Sequence, residues 1–225
     1  MENIYTRQLQ FLHPQAWDDR TVHIIGCGGL GSPIALILAK MGAQKINLYD
    51  LDTVEVENIN NQLFGLKDIG QTKVEAVKNN IEMLSGIRLS DIRTFHGDIL
   101  KNTNFKPLNS DIVILSLDSN DVRRRIYKQL MENSFFGLII DPRMAGLVFS
   151  VYASVGTKAL KYEDWTPVDD KVREDVCTAK AIAFNTFGCA SVASGIIRKY
   201  LNDEFSGQEF VQMDMLNNFI TPILK

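Results

Sequence analysis

The sequence predicts an α/β fold: a Rossmann-like open sheet, mostly parallel, with antiparallel edge strands and helices on both faces. Three observations carry that prediction. A short apolar strand at Val22–Ile25 runs through a glycine turn into an apolar helix at Ile34–Met41, closed by Gly42; this is the βα unit on which such sheets are built. Short apolar strands then alternate with segments of helical period as far as Asp141. Finally, Leu147–Val155 alternates apolar and polar residues, the pattern of an antiparallel strand with one wet face.

Taken in order, residues 4–12, around Tyr5-Thr6-Arg7-Gln8-Leu9, read as a short amphipathic helix ended by His13-Pro14. After the first strand, Gly26, Gly28 and Gly31 form G-x-G-x-x-G, with Gly29 inside it. Glycines let the backbone come close to phosphate oxygens, and the following helix N-terminus offers N–H groups and a partial positive charge. The turn alone leaves three readings open: a dinucleotide oxidoreductase, a nucleotidyl-transferring enzyme, or glycines used only for close packing. Lys45–Asp50 forms the second strand. Asp50 falls 19 residues after Gly31, where a dinucleotide fold sets a carboxylate on a ribose hydroxyl.

Residues 52–73 depart from that plan. Asp52 to Gln62 is polar and amide-rich, too long for a plain βα connection. It ends at Lys67-Asp-Ile-Gly-Gln-Thr-Lys73, after which Val74, Val77, Ile81 and Leu84 mark the buried face of a helix over 71–84. Leu89–Phe95 makes a third strand and Asp111–Leu117 a fourth. Asp118 then stands at the carboxyl end that faces the ligand crevice of an open sheet. A helix over 120–133, a fifth strand at Gly137–Asp141 and the alternating sixth strand near an edge follow. Residues 157–176 are charged and irregular and read as an exposed crossover; 178–202 form a long, largely apolar helix, and 209–216 a last strand. No repeat, low-complexity tract or boundary interrupts the chain. The expectation is one domain over residues 1–225, with an irregular crossover at about 157–177.

Composition removes several classes. The net charge of −3 leaves no electrostatic footprint for nucleic acid or an anionic membrane. The three cysteines, Cys27, Cys177 and Cys189, contain no C-x-x-C pair, and the three histidines show no metal-ligand spacing. The first residues lack a signal-peptide pattern and no apolar run approaches membrane-spanning length. A reducing, cytoplasmic setting is the expectation.

Five features in order now resemble the ThiF/MoeB/HesA family, bacterial relatives of the ubiquitin-activating enzymes. They are Arg7 in Tyr-Thr-Arg-Gln; the Gly-Cys-Gly-Gly-Leu-Gly turn; Asp50-Leu-Asp52 with Val54 and Asn58 following; Gly70-Gln-Thr-Lys73; and Asp118 after the fourth strand. The resemblance covers about residues 3–200. It implies ATP-dependent adenylation of a carboxylate, usually the C-terminal glycine of a small ubiquitin-like or sulfur-carrier protein, by a homodimer. Position by position, it implies that the glycine turn passes close to the phosphates and that Asp50 holds the ribose. Asp52, Asn58, Asn61, Gln62 and Lys73 would surround the phosphates, with Lys73 stabilising the developing charge. Asp118 would hold Mg²⁺. Arg7 would reach into the site of the other subunit, and Arg123 also stands where the family has an arginine. Cys177, which opens the long helix, would take over the activated carrier.

Two departures accompany the resemblance. Asn61 replaces the arginine that the family carries before Gln62, which removes a cation from the phosphate site, and the paired C-x-x-C zinc site of many relatives is absent. Each residue also has a plainer reading: Asp118 as the cap of the next helix, Lys73 and Arg7 as solvated charges, Cys177 as a small buried residue. The competing functions are a weakened subunit that recruits a carrier, adenylation of a short peptide, and an NAD(P)-dependent oxidoreductase. The last would have no use for Lys73 or Asp118.

Overall fold

The computed structural model describes residues 4–85, 91–156 and 182–223. Its strands are β1 Val22–Ile25, β2 Lys45–Asp50, β3 Asp91–His96, β4 Ile112–Leu115, β5 Leu138–Ala145, β6 Val148–Val155, β7 Gln208–Asp214 and β8 Phe219–Ile223. Its longer helices are α1 Gly31–Met41, α2 Lys73–Ser85, α3 Asn120–Glu132 and α4 Ala183–Leu201. The strands form one sheet in the order β3-β2-β1-β4-β5-β6-β7-β8. Pairing is parallel from β3 to β5 and antiparallel from β5 to β8.

The period of two along each strand decides what lies on each face. Val22 and Ile24 of β1, with Ile112 and Ile114 of β4, pack with Ile34 and Leu38 of α1, Val77 and Ile81 of α2, and Ala193 and Ile197 of α4. Ile25, Val113 and Leu115 point the other way, against Ile126 and Leu130 of α3 and Phe105. Helices therefore cover both faces, as the sequence predicts. Gly42 closes α1 with φ of 110°, a left-handed cap whose N–H turns back to the Ala39 and Leu38 carbonyls.

Four elements differ from the sequence reading. Residues 4–11 form consecutive turns, not a helix. The segment is too short to hold a helix by itself, and its bonds go elsewhere: Gln8 Nε2 donates to the Met41 carbonyl, and Arg198 Nε and Asn202 Nδ2 donate to the Phe11 carbonyl. β5 runs past Asp141 to Ala145 because Asp141–Ala145 pair with Tyr152–Val148. β6 is not at an edge, since β7 and β8 extend the sheet beyond it. β8 lies beyond the 209–216 segment expected to be the last strand; it contains Pro222, which an edge strand tolerates, and an edge is where it lies. The predicted crossover and Cys177 lie outside the described residues.

Candidate active site

The reversal of strand order at β1, between β2 and β4, opens a crevice beyond the carboxyl ends of the parallel strands. The glycine turn leaves β1 into this crevice. Its four glycines have two different jobs. A Cβ on Gly26, whose φ is +92°, would lie 2.4 Å from the Ser116 carbonyl oxygen, and one on Gly31 would lie 1.8 Å from that of Gly26. Those two glycines are required by backbone packing. A Cβ on Gly28 or Gly29 would meet nothing closer than ordinary contact: Gln62 Oε1 at 3.6 Å for Gly28, and Thr186 Cγ2 at 3.5 Å and the Asn61 carbonyl at 4.0 Å for Gly29. Gly28 and Gly29 present an open backbone to the cleft, and no side chain caps the start of α1 behind them.

Asp50 ends β2 beside this turn. Its carboxylate accepts the Cys27 N–H at 2.6 Å and the Asp52 N–H at 2.8 Å, which fixes its direction. Burial raises its pKa, an effect opposed by those two N–H groups and by Lys73, and reinforced by Asp52. Burial, with Asp50 nearby, also pushes the Cys27 thiol well above its usual range. Cys27 is thus an inert packing residue rather than a nucleophile.

The amide-rich stretch is a closed loop. Its neck is an isolated antiparallel bridge between Thr53 and Thr72, with the Val54 N–H on the Gln71 carbonyl and the Gly70 N–H on the Val54 carbonyl. The neck puts Asp52 beside Lys73, which are 21 positions apart, and Lys73 Nζ meets Asp52 Oδ2 at 2.8 Å. Lys73 is buried, although it begins α2, while Asp52 is half exposed. The loop then carries Asn58, Asn61 and Gln62 back across the glycine turn. Gln62 Oε1 is a buried acceptor without a partner among the described residues.

Asp118 lies on the opposite lip, exposed, directly after β4. It does not cap α3: Ser119 does, accepting the Val122 N–H at 3.3 Å. Arg123, one turn into α3, is buried and pointed inward. It pairs with Asp141 and donates to the Leu115, Leu117 and Pro142 carbonyls, so its donors serve the carboxyl ends of β4 and β5. Asp141 also takes Arg143, with Nη2 at 2.7 Å, and that guanidinium lies 5.2 Å above the Tyr152 ring. The turn, Asp50, Asp52, Asn58, Asn61, Gln62, Lys73, Asp118 and Arg123 all line one cleft of about 1250 Å³. Arg7 is exposed and outside that lining; its segment packs at the far end of α1. Among the described residues no group of three or more His, Cys, Asp or Glu side chains could hold a metal ion by itself.

Two parts of the cleft escaped the sequence reading. Ile99, Leu117 and Val122 give the cleft an apolar stretch of lining, and Arg143 with Tyr152 walls the antiparallel side. Only the position of Arg143, beyond the carboxyl end of a parallel strand, could have signalled it.

A sequence model of the ThiF family matches residues 5–222. The chain belongs to the ThiF family. Adenylyltransferase and sulfurtransferase MOCS3 of Aedes aegypti is 37% identical over 101 residues, 44% of this chain and 23% of that protein. The NEDD8-activating enzyme E1 catalytic subunit of Arabidopsis thaliana is 34% identical over 106 residues, 46% of this chain and 22% of that one. This ThiF-family chain thus spans less than a quarter of the length of these curated relatives. Its fold is shared with MccB of E. coli. The structure of MccB with ATP superposes with a TM-score of 0.81 at 20% identity, covering 99% of this chain and 71% of MccB. The structure with MccA-N7isoASN gives 0.82 at 21%, covering 99% and 72%.

Proposed function

We propose that this chain binds ATP with Mg²⁺ and adenylates the C-terminal glycine carboxylate of a small ubiquitin-like or sulfur-carrier protein. The observation that carries the reading is a convergence. The open half of the glycine turn, Gln62, the Lys73–Asp52 pair and Asp118 come from separate stretches of chain and line one cleft. A triphosphate fits that set: backbone N–H groups and a lysine for its oxygens, and a carboxylate with fixed direction for the ribose. The apolar stretch of lining at Ile99, Leu117 and Val122 suits a purine. The relatives are named as an adenylyltransferase and an E1 catalytic subunit, which supports the same chemistry.

In the reaction, a carboxylate oxygen attacks the α-phosphorus, the bond from that phosphorus to the bridging oxygen breaks, and pyrophosphate leaves. Two anions must meet, and negative charge gathers on the phosphate oxygens. Lys73, half-neutralised by Asp52 in the free protein, supplies a positioned cation to those oxygens. Asp50 holds the nucleotide by its ribose, so that the phosphates fall across Gly28 and Gly29. Asp118 would hold Mg²⁺, which screens phosphate charge; one carboxylate suits an ion that keeps water and phosphate oxygens as its other ligands. Arg7 is exposed and away from its own cleft, which supports a role in the site of a second copy in a homodimer. Cys177 would accept the activated acyl group, its thiolate displacing AMP to leave a thioester.

Pyrophosphate exchange into ATP, measured with a candidate carrier, tests the reading. Carrier-dependent exchange is expected; none at saturating ATP would favour a weakened, recruiting subunit. Stabilisation by NAD(P) but not by ATP would favour the oxidoreductase. A second reading has the same cleft activating a short peptide. Exchange driven by peptide and not by a folded carrier would select it. Cys177→Ser should leave exchange intact and abolish any thiol-labile carrier adduct.

A further inference from the structure

The backbone of the loop bearing Asn61 and Gln62 is irregular, yet its polar groups are taken up one after another by buried side chains from three helices. Ser32 of α1, fully buried, accepts the Leu63 N–H at 3.0 Å and donates to the Gly28 carbonyl at 2.7 Å. Asn80 of α2, also buried, donates to the Leu63 carbonyl at 3.0 Å and to the buried Asp68 at 2.7 Å. The Thr186 hydroxyl of α4, fully buried, lies 3.1 Å from the Asn61 carbonyl and shares its proton with the Ala183 carbonyl at 2.8 Å.

We propose that Ser32, Asn80 and Thr186 are positioning residues for nucleotide binding, and that Ser32 is the hinge pin between the two phosphate-facing elements. This rests on the adenylation reading above. Satisfying a buried backbone does not by itself demand such an arrangement, since a loop can turn its polar groups to water. What singles out Ser32 is its other partner. One hydroxyl ties the Gly28 carbonyl, inside the glycine turn, to the residue that follows Gln62, so neither element can shift without the other. The gap it fixes is the one into which a Cβ on Gly28 would project, 3.6 Å from Gln62 Oε1. Asn80 and Thr186 hold the far side of the same loop, so that Gln62 faces the turn in one geometry before any ligand arrives.

The test compares Ser32→Ala with Ser194→Ala. Ser194 is equally buried, but its hydroxyl donates only within α4, to Ala190 at 2.8 Å. ATP is titrated onto the wild type and both variants, and KM and kcat are read from pyrophosphate exchange. Ser32→Ala is expected to raise the Kd and KM for ATP about tenfold, the worth of two hydrogen bonds, with kcat less affected. Ser194→Ala should lose a similar amount of thermal stability and leave both constants unchanged. If wild type binds ATP and Ser32→Ala binds it as tightly, or if both variants weaken binding alike, the positioning role is refuted and the functional reading stands. If wild type binds no ATP, the functional reading itself fails. Should Ser32→Ala not fold, Thr186→Val, which exchanges the hydroxyl for a methyl group of similar size, takes its place. An unchanged KM there overturns the proposal.

Discussion

A methyl group added at Gly31 and one added at Gly28 meet different fates. At Gly31 it would be driven into a main-chain carbonyl that cannot move aside, so Gly31→Ala should cost about 1–3 kcal/mol or more of stability, as overpacking does. At Gly28 it meets only the end of the Gln62 side chain. Gly28→Ala should therefore melt near the wild type yet lose the thermal shift given by ATP. Lys73→Ala is a third case. Its partner Asp52 is half exposed, so the fold should survive. Exchange should fall by about 10–150-fold, the worth of a charge-assisted hydrogen bond of about 1.5–3 kcal/mol. The place of Asp50, Lys73 and Asp118 in the cleft is legible in the sequence because each sits next to a pattern that fixes its position: a strand end, a Gly-Gln-Thr-Lys run, another strand end. The roles of Arg123 and Arg143 are not. Both depend on Asp141, which lies 18 positions from Arg123 and gives no local sign that it serves two guanidinium groups.

Between elements, β1, β2 and the start of β4 are fastened together by a buried polar cluster. His23 Nδ1 lies 3.0 Å from the Tyr49 hydroxyl and His23 Nε2 3.3 Å from Asp111 Oδ2. Asp111 also accepts the Thr21 and Leu108 N–H groups, at 2.9 and 2.7 Å. Burial works to raise the Asp111 pKa, but His23 and the two N–H groups outweigh it and hold the carboxyl below its ordinary value. The stabilisation this brings is fully present above an unfolded pKa of about 3.9 and is lost as the pH falls through the lowered folded value. Asp111→Asn should cost about 1–3 kcal/mol at neutral pH and flatten the acid limb of a stability profile measured by urea unfolding. The strands at this join were readable because burial on both faces leaves continuous apolar runs. The antiparallel wing was less so. β8 carries a proline, and the N-terminal turns draw their order from Met41, Arg198 and Asn202, which no local window contains.

For the whole molecule, no helix among the described residues is long and apolar enough to cross a membrane. The chain has two ends of interest: the cleft beyond the sheet and, at the far end of α1, the exposed Arg7. If a homodimer exchanges these between copies, Arg7→Ala and Lys73→Ala proteins, each strongly impaired alone, should rise to about a quarter of wild-type exchange when mixed and allowed to redistribute, since each heterodimer then holds one intact site. No recovery would show that Arg7 does not act across a dimer. Finally, the unequal glycines bear on how such a chain could drift. A descendant that gave up its nucleotide would be free to change residues 28 and 29, while 26 and 31 would stay locked by the architecture. A truncated fingerprint of that kind, with its outer glycines intact and its inner ones lost, would mark a scaffold that has outlived its chemistry.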